Sequence, residues 1–193
     1  MDYSVSRSHC TDNNKDRTVG AYWEKQFCVM AAGYGYVFTP LQLGRSKSAQ
    51  YYANTSGKWN HYTLPDVTIW THPGQHHEIK HKDPTRAGMY GLEQYRLEAL
   101  LRFADTTGQQ VLYTIHNHAL NGGRENQTND IAHWFTADVT ELNGHWDLYD
   151  KNGISWVNGV KRTGIPIYYW NTDKWGSLQH YWTVEEFIDE IPF

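Results

Sequence analysis

Two carboxylates and one lysine lie close together in the first half of the chain. Asp66 opens a stretch rich in β-forming residues, and Glu78 and Lys80 lie in the next such stretch, separated by one residue. Residues two apart in a β-strand point to the same face, so Glu78 and Lys80 are expected to project together. Pairing of the two strands would bring Asp66 beside them. The sequence therefore predicts two carboxylates and an ammonium group that converge on one point.

This group of side chains fits phosphodiester hydrolysis. Oxygen ligands suit Mg²⁺, so Asp66 and Glu78 can share a hard divalent cation. Such a cation polarises a phosphoryl oxygen and lowers the pKa of a bound water, while a lysine such as Lys80 positions that water or stabilises transition-state charge. The alternative interpretation is a solvated ion pair, because Glu-x-Lys triplets also occur on exposed strands.

A pair of histidines offers a different metal chemistry. His116 and His118 follow a β-rich stretch with one residue between them, and imidazole nitrogens can bind Zn²⁺ or another transition metal. The sequence offers no evident third ligand at a suitable spacing. A hydrolase built on this pair would prefer Zn²⁺ over Mg²⁺ and would be indifferent to substitutions at Lys80.

The composition indicates a core-forming globular protein. A chain of 193 residues is close to the size of one domain, and about 70 % of the surface of such a chain is buried on folding. Cys10 and Cys28 lack the spacing of a zinc ribbon and are expected to be reduced thiols. The net charge of -4 argues against non-specific coating of nucleic acid. The polar N-terminus and the lack of a long apolar run predict a cytoplasmic protein without a membrane segment.

The elements that must position these residues have the pattern of an α/β fold. Apolar residues at helical spacing predict a helix over 18–32, and β-rich stretches predict strands over 36–41, 66–70 and 75–80. A helix over 86–107 and a buried strand follow. The order helix, strand, strand, strand, helix, strand is typical of a mixed central sheet flanked by helices.

The remaining elements are expected to be shorter. Gly108 should end the helix over 86–107 as its C-cap. The later expectations, in chain order, are a strand over 110–115, a helix over 130–142, strands over 154–157 and 165–169, and a terminal helix that begins after Thr183.

The stretch that contains the two carboxylates and the lysine resembles the motif of the PD-(D/E)XK nuclease superfamily. Pro65 and Asp66 match the PD pair, and Glu78, Ile79 and Lys80 match the (D/E)XK triplet. The resemblance implies Mg²⁺ or Mn²⁺ as the cofactor. It also implies Asp66, Glu78 and the Ile79 carbonyl as metal ligands, with Lys80 as the catalytic lysine.

The resemblance extends to the flanking helices. Members of the superfamily often place a glutamate on the helix before the sheet, in a Gly-x-x-x-Glu run, and Gly20 and Glu24 fit this pattern. Glu24 is then implied to support the metal site. A polar residue of the helix after the triplet often faces the site, and both Gln94 and Tyr95 qualify. That helix and the next strand are similar to those of archaeal-type Holliday junction resolvases.

The resemblance implies a restriction-endonuclease-like nuclease that hydrolyses DNA, from a bacterium or a phage-infected host. We expect one nuclease domain over 1–193, with a core at about 18–118 and a C-terminal α+β elaboration at about 119–193. Related enzymes often pair to cut two strands, which favours a homodimer. The alternative is a catalytically inactive nucleic-acid-binding or assembly protein with the same fold.

Several basic side chains are candidates for contacts to the substrate. Strand alternation puts His76 on the face of Glu78 and Lys80, and puts His77 and His81 on the opposite face. The substrate-binding candidates are His76, Lys82, Arg86 and Lys58.

Overall fold

The computed structural model describes residues 13–40, 65–71, 74–120, 122, 128–157 and 160–182. The helices are α1 (Asn13–Gly33), α2 (Gln94–Thr107), α3 (Val139–Leu142) and α4 (Leu178–Tyr181). The strands are β1 (Phe38–Pro40), β2 (Val67–Ile69), β3 (Gln75–His81), β4 (Met89–Glu93), β5 (Gln110–His116), β6 (Trp134–Asp138), β7 (Leu148–Val157), β8 (Val160–Asn171) and β9 (Gly176–Ser177). Short 3-10 turns cover Ile131–His133 and Thr172–Lys174.

A mixed six-stranded sheet lies at the centre of the fold. Its strand order is β1-β2-β3-β5-β6-β9, in which β3 and β5 are parallel and the other neighbours are antiparallel. Strands β4, β8 and β7 form a second, antiparallel sheet. Helices flank the central sheet, so the expected α/β class with a mixed central sheet is confirmed.

Helix α1 covers one face of the central sheet. Trp23, Phe27, Met30 and Ala31 recur at helical spacing and are buried. They form a core cluster with Val67, Ile69, Ile79, Trp134, Leu178 and Trp182. The helix predicted over 18–32 is confirmed, and it begins five residues earlier because α1 starts at Asn13.

Helix α2 covers the other face. Its buried residues Leu97, Leu100 and Ala104 belong to a second core cluster, to which β5 contributes Val111, Tyr113 and Ile115. Alternate residues of β5 therefore serve opposite faces of the sheet. Gly108 ends α2 with a φ of 65°, and its N–H donates to the carbonyl of Ala104, as its predicted C-cap role requires.

The helix predicted over 86–107 is wrong in its first part. Residues Met89–Glu93 form β4, in which Tyr90 and Leu92 are buried on one face with the period of a strand. Gly91 pairs with Tyr169 of β8, and a Cβ at Gly91 would lie 2.6 Å from the Tyr169 ring. Partner strand β8 therefore decided the conformation of this segment, and α2 begins only at Gln94.

The helix predicted over 130–142 is also mostly wrong. This segment forms a 3-10 turn, then β6, and only the short helix α3 at its end. Strand β6 is extended because it pairs with β5 on one side and β9 on the other. The carboxylate of Asp138 accepts a hydrogen bond from the Thr140 N–H at 2.8 Å and so caps α3.

The segment after β5 contributes to both sheets. Strands β6 and β9 extend the central sheet, while β7 and β8 are longer than the predicted strands over 154–157 and 165–169. Trp170 and Trp175 pack in the same cluster as α2. The expected α+β elaboration thus packs against the core, and the division into a single domain stays a prediction. Among the described residues, no helix combines the length and apolarity needed to cross a bilayer.

We predict that Leu100→Ala lowers the free energy of unfolding by about 2–5 kcal/mol, because the side chain is fully buried between α2 and the sheet and its loss leaves a cavity. Arg102→Ala, on the exposed side of the same helix, should change it by less than about 0.5 kcal/mol. Urea unfolding followed by circular dichroism measures both. Equal effects of the two substitutions would contradict the burial of Leu100.

Candidate functional site

Asp66 is fixed to β3 by two backbone contacts. The Asp66 N–H donates to the carbonyl of His77 at 2.8 Å, and its carboxylate accepts a hydrogen bond from the Ile79 N–H at 2.7 Å. The residue is buried immediately before β2, which pairs with β3. These contacts place the Asp66 carboxylate next to Glu78, as the strand pairing predicted.

Glu78 is fully buried and is contacted by two cations. Its Oε1 lies 2.5 Å from Lys80 Nζ and also accepts a hydrogen bond from Nη1 of Arg96. Its Oε2 is buried and has no hydrogen-bond partner. Oε1 therefore accepts hydrogen bonds from two cations, whereas Oε2 accepts none.

The Lys80 ammonium lies among three oxygen groups. Besides Glu78, it donates to the Ile79 carbonyl at 3.0 Å and lies 3.9 Å from the Asp66 carboxylate. These are the three groups that the sequence comparison with the nuclease motif singled out. Asp66, Glu78, Ile79 and Lys80 are thus brought together as expected from strand pairing and alternation.

Glu24 of α1 lies close enough to this cluster to interact with it electrostatically. Burial raises the pKa of its carboxyl group to about 8, and the negative charges of Asp66 and Glu78 add to the rise. The pKa of Asp66 is raised to about 6 by burial and by Glu78, against the opposing influence of Lys80 and the Ile79 N–H. The three acids therefore share one electrostatic environment.

Glu78 differs from the other two acids. Burial alone would raise the pKa of its carboxyl group, but the positive charges of Arg96 and Lys80 outweigh burial and lower it. The pKa of Lys80 is raised, because the attraction of Glu78 and Asp66 outweighs burial and the repulsion of Arg96. Glu78 and Lys80 are therefore charged at neutral pH.

Arg96 is the site residue that the sequence reasoning missed. It lies in the first turn of α2, where the expected site-facing residues were Gln94 and Tyr95. The Gln94 side chain instead donates to Glu98 at 2.8 Å and accepts from the Tyr149 hydroxyl at 3.0 Å, and Tyr95 is half-buried. The sequence signal that could have identified Arg96 is charge balance. A buried carboxylate requires a neighbouring cation, and arginine is suited to such ion pairs.

The candidates for substrate contacts lie in different environments. His76 is buried, and its ring nitrogens contact Thr68 at 2.8 Å and Gln109, so a phosphate contact there stays a prediction. Lys82 donates to the Gly91 carbonyl and lies 5.1 Å above the ring centre of Tyr113.

Burial lowers the pKa of Lys82 to about 8. Arg86 is exposed on the turn between β3 and β4. Lys58 and the predicted terminal helix after Thr183 lie outside the described residues.

The histidine pair lies on the α1 side of the sheet. His116 Nδ1 lies 2.9 Å from Nδ1 of His81, and its ring stacks on Trp23 at a centroid distance of 3.7 Å. His118 Nδ1 lies 2.8 Å from the carboxylate of Asp83. In the part of the chain that the structure describes, no three His, Cys, Asp or Glu side chains are grouped to hold a metal ion. This geometry does not favour a zinc site at the pair.

We predict that Glu24 makes stability depend on pH. Its pKa is about 8 in the folded chain and about 4.5 when unperturbed, so the folded state binds the proton more tightly and loses stability as pH rises between these values. The loss should be on the order of 1–3 kcal/mol, allowing for solvent screening. Glu24→Gln removes the titrating group.

Urea unfolding in EDTA at about pH 5 and about pH 9 tests this expectation. The wild type should lose more stability than Glu24→Gln over this range. The matched control is Glu98→Gln, at an exposed position of α2, which should behave like the wild type. Parallel pH dependences of wild type and Glu24→Gln would contradict a buried, strongly shifted Glu24.

Comparison with known proteins gives similarity to solved structures only. No protein-family model and no curated protein matches the chain. Among solved structures, the chain is similar to Hjc of Archaeoglobus fulgidus, described as a Holliday junction resolvase from an archaeal hyperthermophile. The TM-score is 0.48 with 11 % sequence identity, over 84 % of this chain and 94 % of that one. A similarity at this level assigns no family, so function is inferred from the site.

Proposed function

We propose that this protein is a metal-dependent nuclease that hydrolyses phosphodiester bonds of DNA, with Mg²⁺ or Mn²⁺ as its cofactor. The observation that carries the proposal is the set of oxygens around the Lys80 ammonium. Glu78 Oε1, the Ile79 carbonyl and the Asp66 carboxylate lie 2.5, 3.0 and 3.9 Å from Lys80 Nζ. An ammonium held by three oxygen groups marks a place where the fold stabilises positive charge.

The donor set fits a hard divalent cation. Mg²⁺ takes oxygen ligands and is usually bound through one or two carboxylates while it keeps several waters. Asp66, Glu78 and the Ile79 carbonyl supply oxygens only. The buried Glu78 Oε2, which has no hydrogen-bond partner, is an acceptor that such a cation or its water could satisfy. This orphaned oxygen supports the assignment independently of the sequence motif.

Each residue has a distinct role in the proposal. Asp66, Glu78 and the Ile79 carbonyl would hold the cation, which would polarise a phosphoryl oxygen and lower the pKa of a bound water. Because the described residues group no three acidic or imidazole side chains as metal ligands, Glu24 is proposed to support the site through its charge and not as a direct ligand. Lys80 donates a hydrogen bond to the attacking water or to a phosphate oxygen and stabilises the negative charge that develops there.

The proposed substrate is DNA, and a homodimer would offer one site to each strand of a duplex. Arg86, an exposed basic residue on the turn after β3, is proposed to contact the phosphate backbone. Lys58 remains a proposed substrate contact. Gln94 and Tyr95, on the same turn of α2 as Arg96, remain candidates for facing the site. Because the net charge is -4, the proposal requires the phosphate contacts to come from local basic residues and not from the overall charge.

A second candidate is a binding or assembly protein without catalysis. The observation in its favour is that Lys80 and Arg96 together already neutralise Glu78. A buried ion-pair network of this kind can exist for structural reasons alone. Metal binding separates the two candidates, since only the nuclease requires it.

We predict Mg²⁺- or Mn²⁺-dependent cleavage that EDTA abolishes. Asp66→Asn should remove a cation ligand, and Lys80→Met should remove the charge that stabilises the transition state. Each should lower the cleavage rate by roughly 100-fold or more. The assay compares plasmid, linear duplex, single-stranded and four-way-junction DNA, and the preferred substrate defines the type of nuclease.

Exposed residues of the same types provide matched controls for this assay. Asp105→Asn and Lys174→Met should cleave at close to the wild-type rate, because both side chains lie on the surface. Calorimetric titration with Mg²⁺ and Mn²⁺ completes the test. A wild type that binds neither ion and cuts none of the four DNA forms would refute the nuclease and support the non-catalytic protein.

A further inference from the structure

Arg96 makes an unusual contact for a residue at the start of a helix. It is the third residue of α2, and the positive end of a helix dipole disfavours a cation there. Its Nη1 nevertheless contacts Oε1 of Glu78, the same oxygen that Lys80 contacts. The fold therefore places two cations on one carboxylate oxygen, although one cation balances its charge.

The Arg96 guanidinium retains donor capacity in this position. Its Nε is buried without a hydrogen-bond partner, and the carboxylate of Glu93 is 3.9 Å away. The side chain as a whole is 25 % exposed, so Arg96 lies at the edge of the buried cluster. A planar guanidinium with free donors is suited to bidentate contact with a phosphate group.

The formal charges of the cluster show what a divalent cation would do to it. A bound cation favours the ionised form of nearby carboxyl groups. With all three acids ionised, the cluster has three negative charges, from Glu24, Asp66 and Glu78, and two positive charges, from Lys80 and Arg96. In this ionised state the total charge is -1 without the divalent cation and +1 with it. One phosphodiester group, with its single negative charge, would return the total to zero.

We propose that Arg96 competes with a divalent cation for Glu78 and, once displaced, binds the phosphate group of the substrate. This inference rests on the proposed nuclease function and concerns how metal binding at the same site is regulated. The cation and the phosphodiester then bind cooperatively, because each relieves the charge imbalance that the other creates. By linkage, each ligand raises the affinity for the other by the same factor.

The test is calorimetric titration with Mn²⁺ in the absence and presence of dimethyl phosphate, a stable phosphodiester anion. Arg96→Met should bind Mn²⁺ alone roughly tenfold more tightly than the wild type, because a competing cation with a charge-assisted hydrogen bond is removed. Dimethyl phosphate should tighten Mn²⁺ binding several-fold in the wild type and much less in Arg96→Met.

Two further variants make the result specific. Arg102→Met, at an exposed position of the same helix, should match the wild type in both titrations. Arg96→Lys keeps the charge but lacks the planar fork, so it should bind Mn²⁺ alone with nearly wild-type affinity and show weaker coupling to dimethyl phosphate. Arg96→Lys also carries the test if Arg96→Met does not fold, as judged by circular dichroism.

The outcomes separate this inference from the proposed function. If the wild type binds Mn²⁺ but a folded Arg96→Met binds it with equal or lower affinity, Arg96 has only a structural role and the inference is overturned. Equal coupling in the wild type and Arg96→Lys would overturn the role of the planar fork in phosphate binding. If the wild type binds no Mn²⁺ at all, the metal site itself is refuted.

Discussion

A buried negative charge on the central strand is the constraint on which the rest of this structure depends. Glu78 is fully buried and remains ionised because Lys80 and Arg96 contact it. An uncompensated charge in this position would be strongly destabilising, so the fold must deliver at least one cation, and here it delivers two. Lys80 comes from the same strand, whereas Arg96 comes from the helix that covers it. The position of α2 is thereby tied to the chemistry of β3.

The connection between the parallel strands β3 and β5 explains how the second cation arrives. Parallel neighbours require a crossover, and here the crossover consists of β4 and α2. It lays α2 on the face of β3 that carries Glu78 and Lys80, while α1 covers the opposite face with Trp23 and Phe27. One side of β3 therefore carries the charged cluster, and the other side is packed with aromatic residues and Ile79.

Local patterns predicted the elements whose own side chains determine their structure. The helical spacing of Trp23 and Phe27 predicted α1, and Gly108 predicted the end of α2. The segments that were predicted wrongly, β4 and β6, are extended because partner strands lie beside them. Met89 and Leu92 fit a helical period, whereas Tyr90 and Leu92 fit a strand period, and only the pairing with β8 decides between the two.

The sequence by itself determined that Glu78 and Lys80 share one face of a strand and that Asp66 lies at the start of a neighbouring strand. Both follow from local properties, namely the alternation of side chains along a strand and the short connection between the two strands. It also favoured the α/β class. Tertiary structure alone decided that Arg96 contacts Glu78 and that His76 is enclosed between Thr68 and Gln109. Those contacts depend on where α2 begins and how it lies on the sheet, and partners distant along the chain set both.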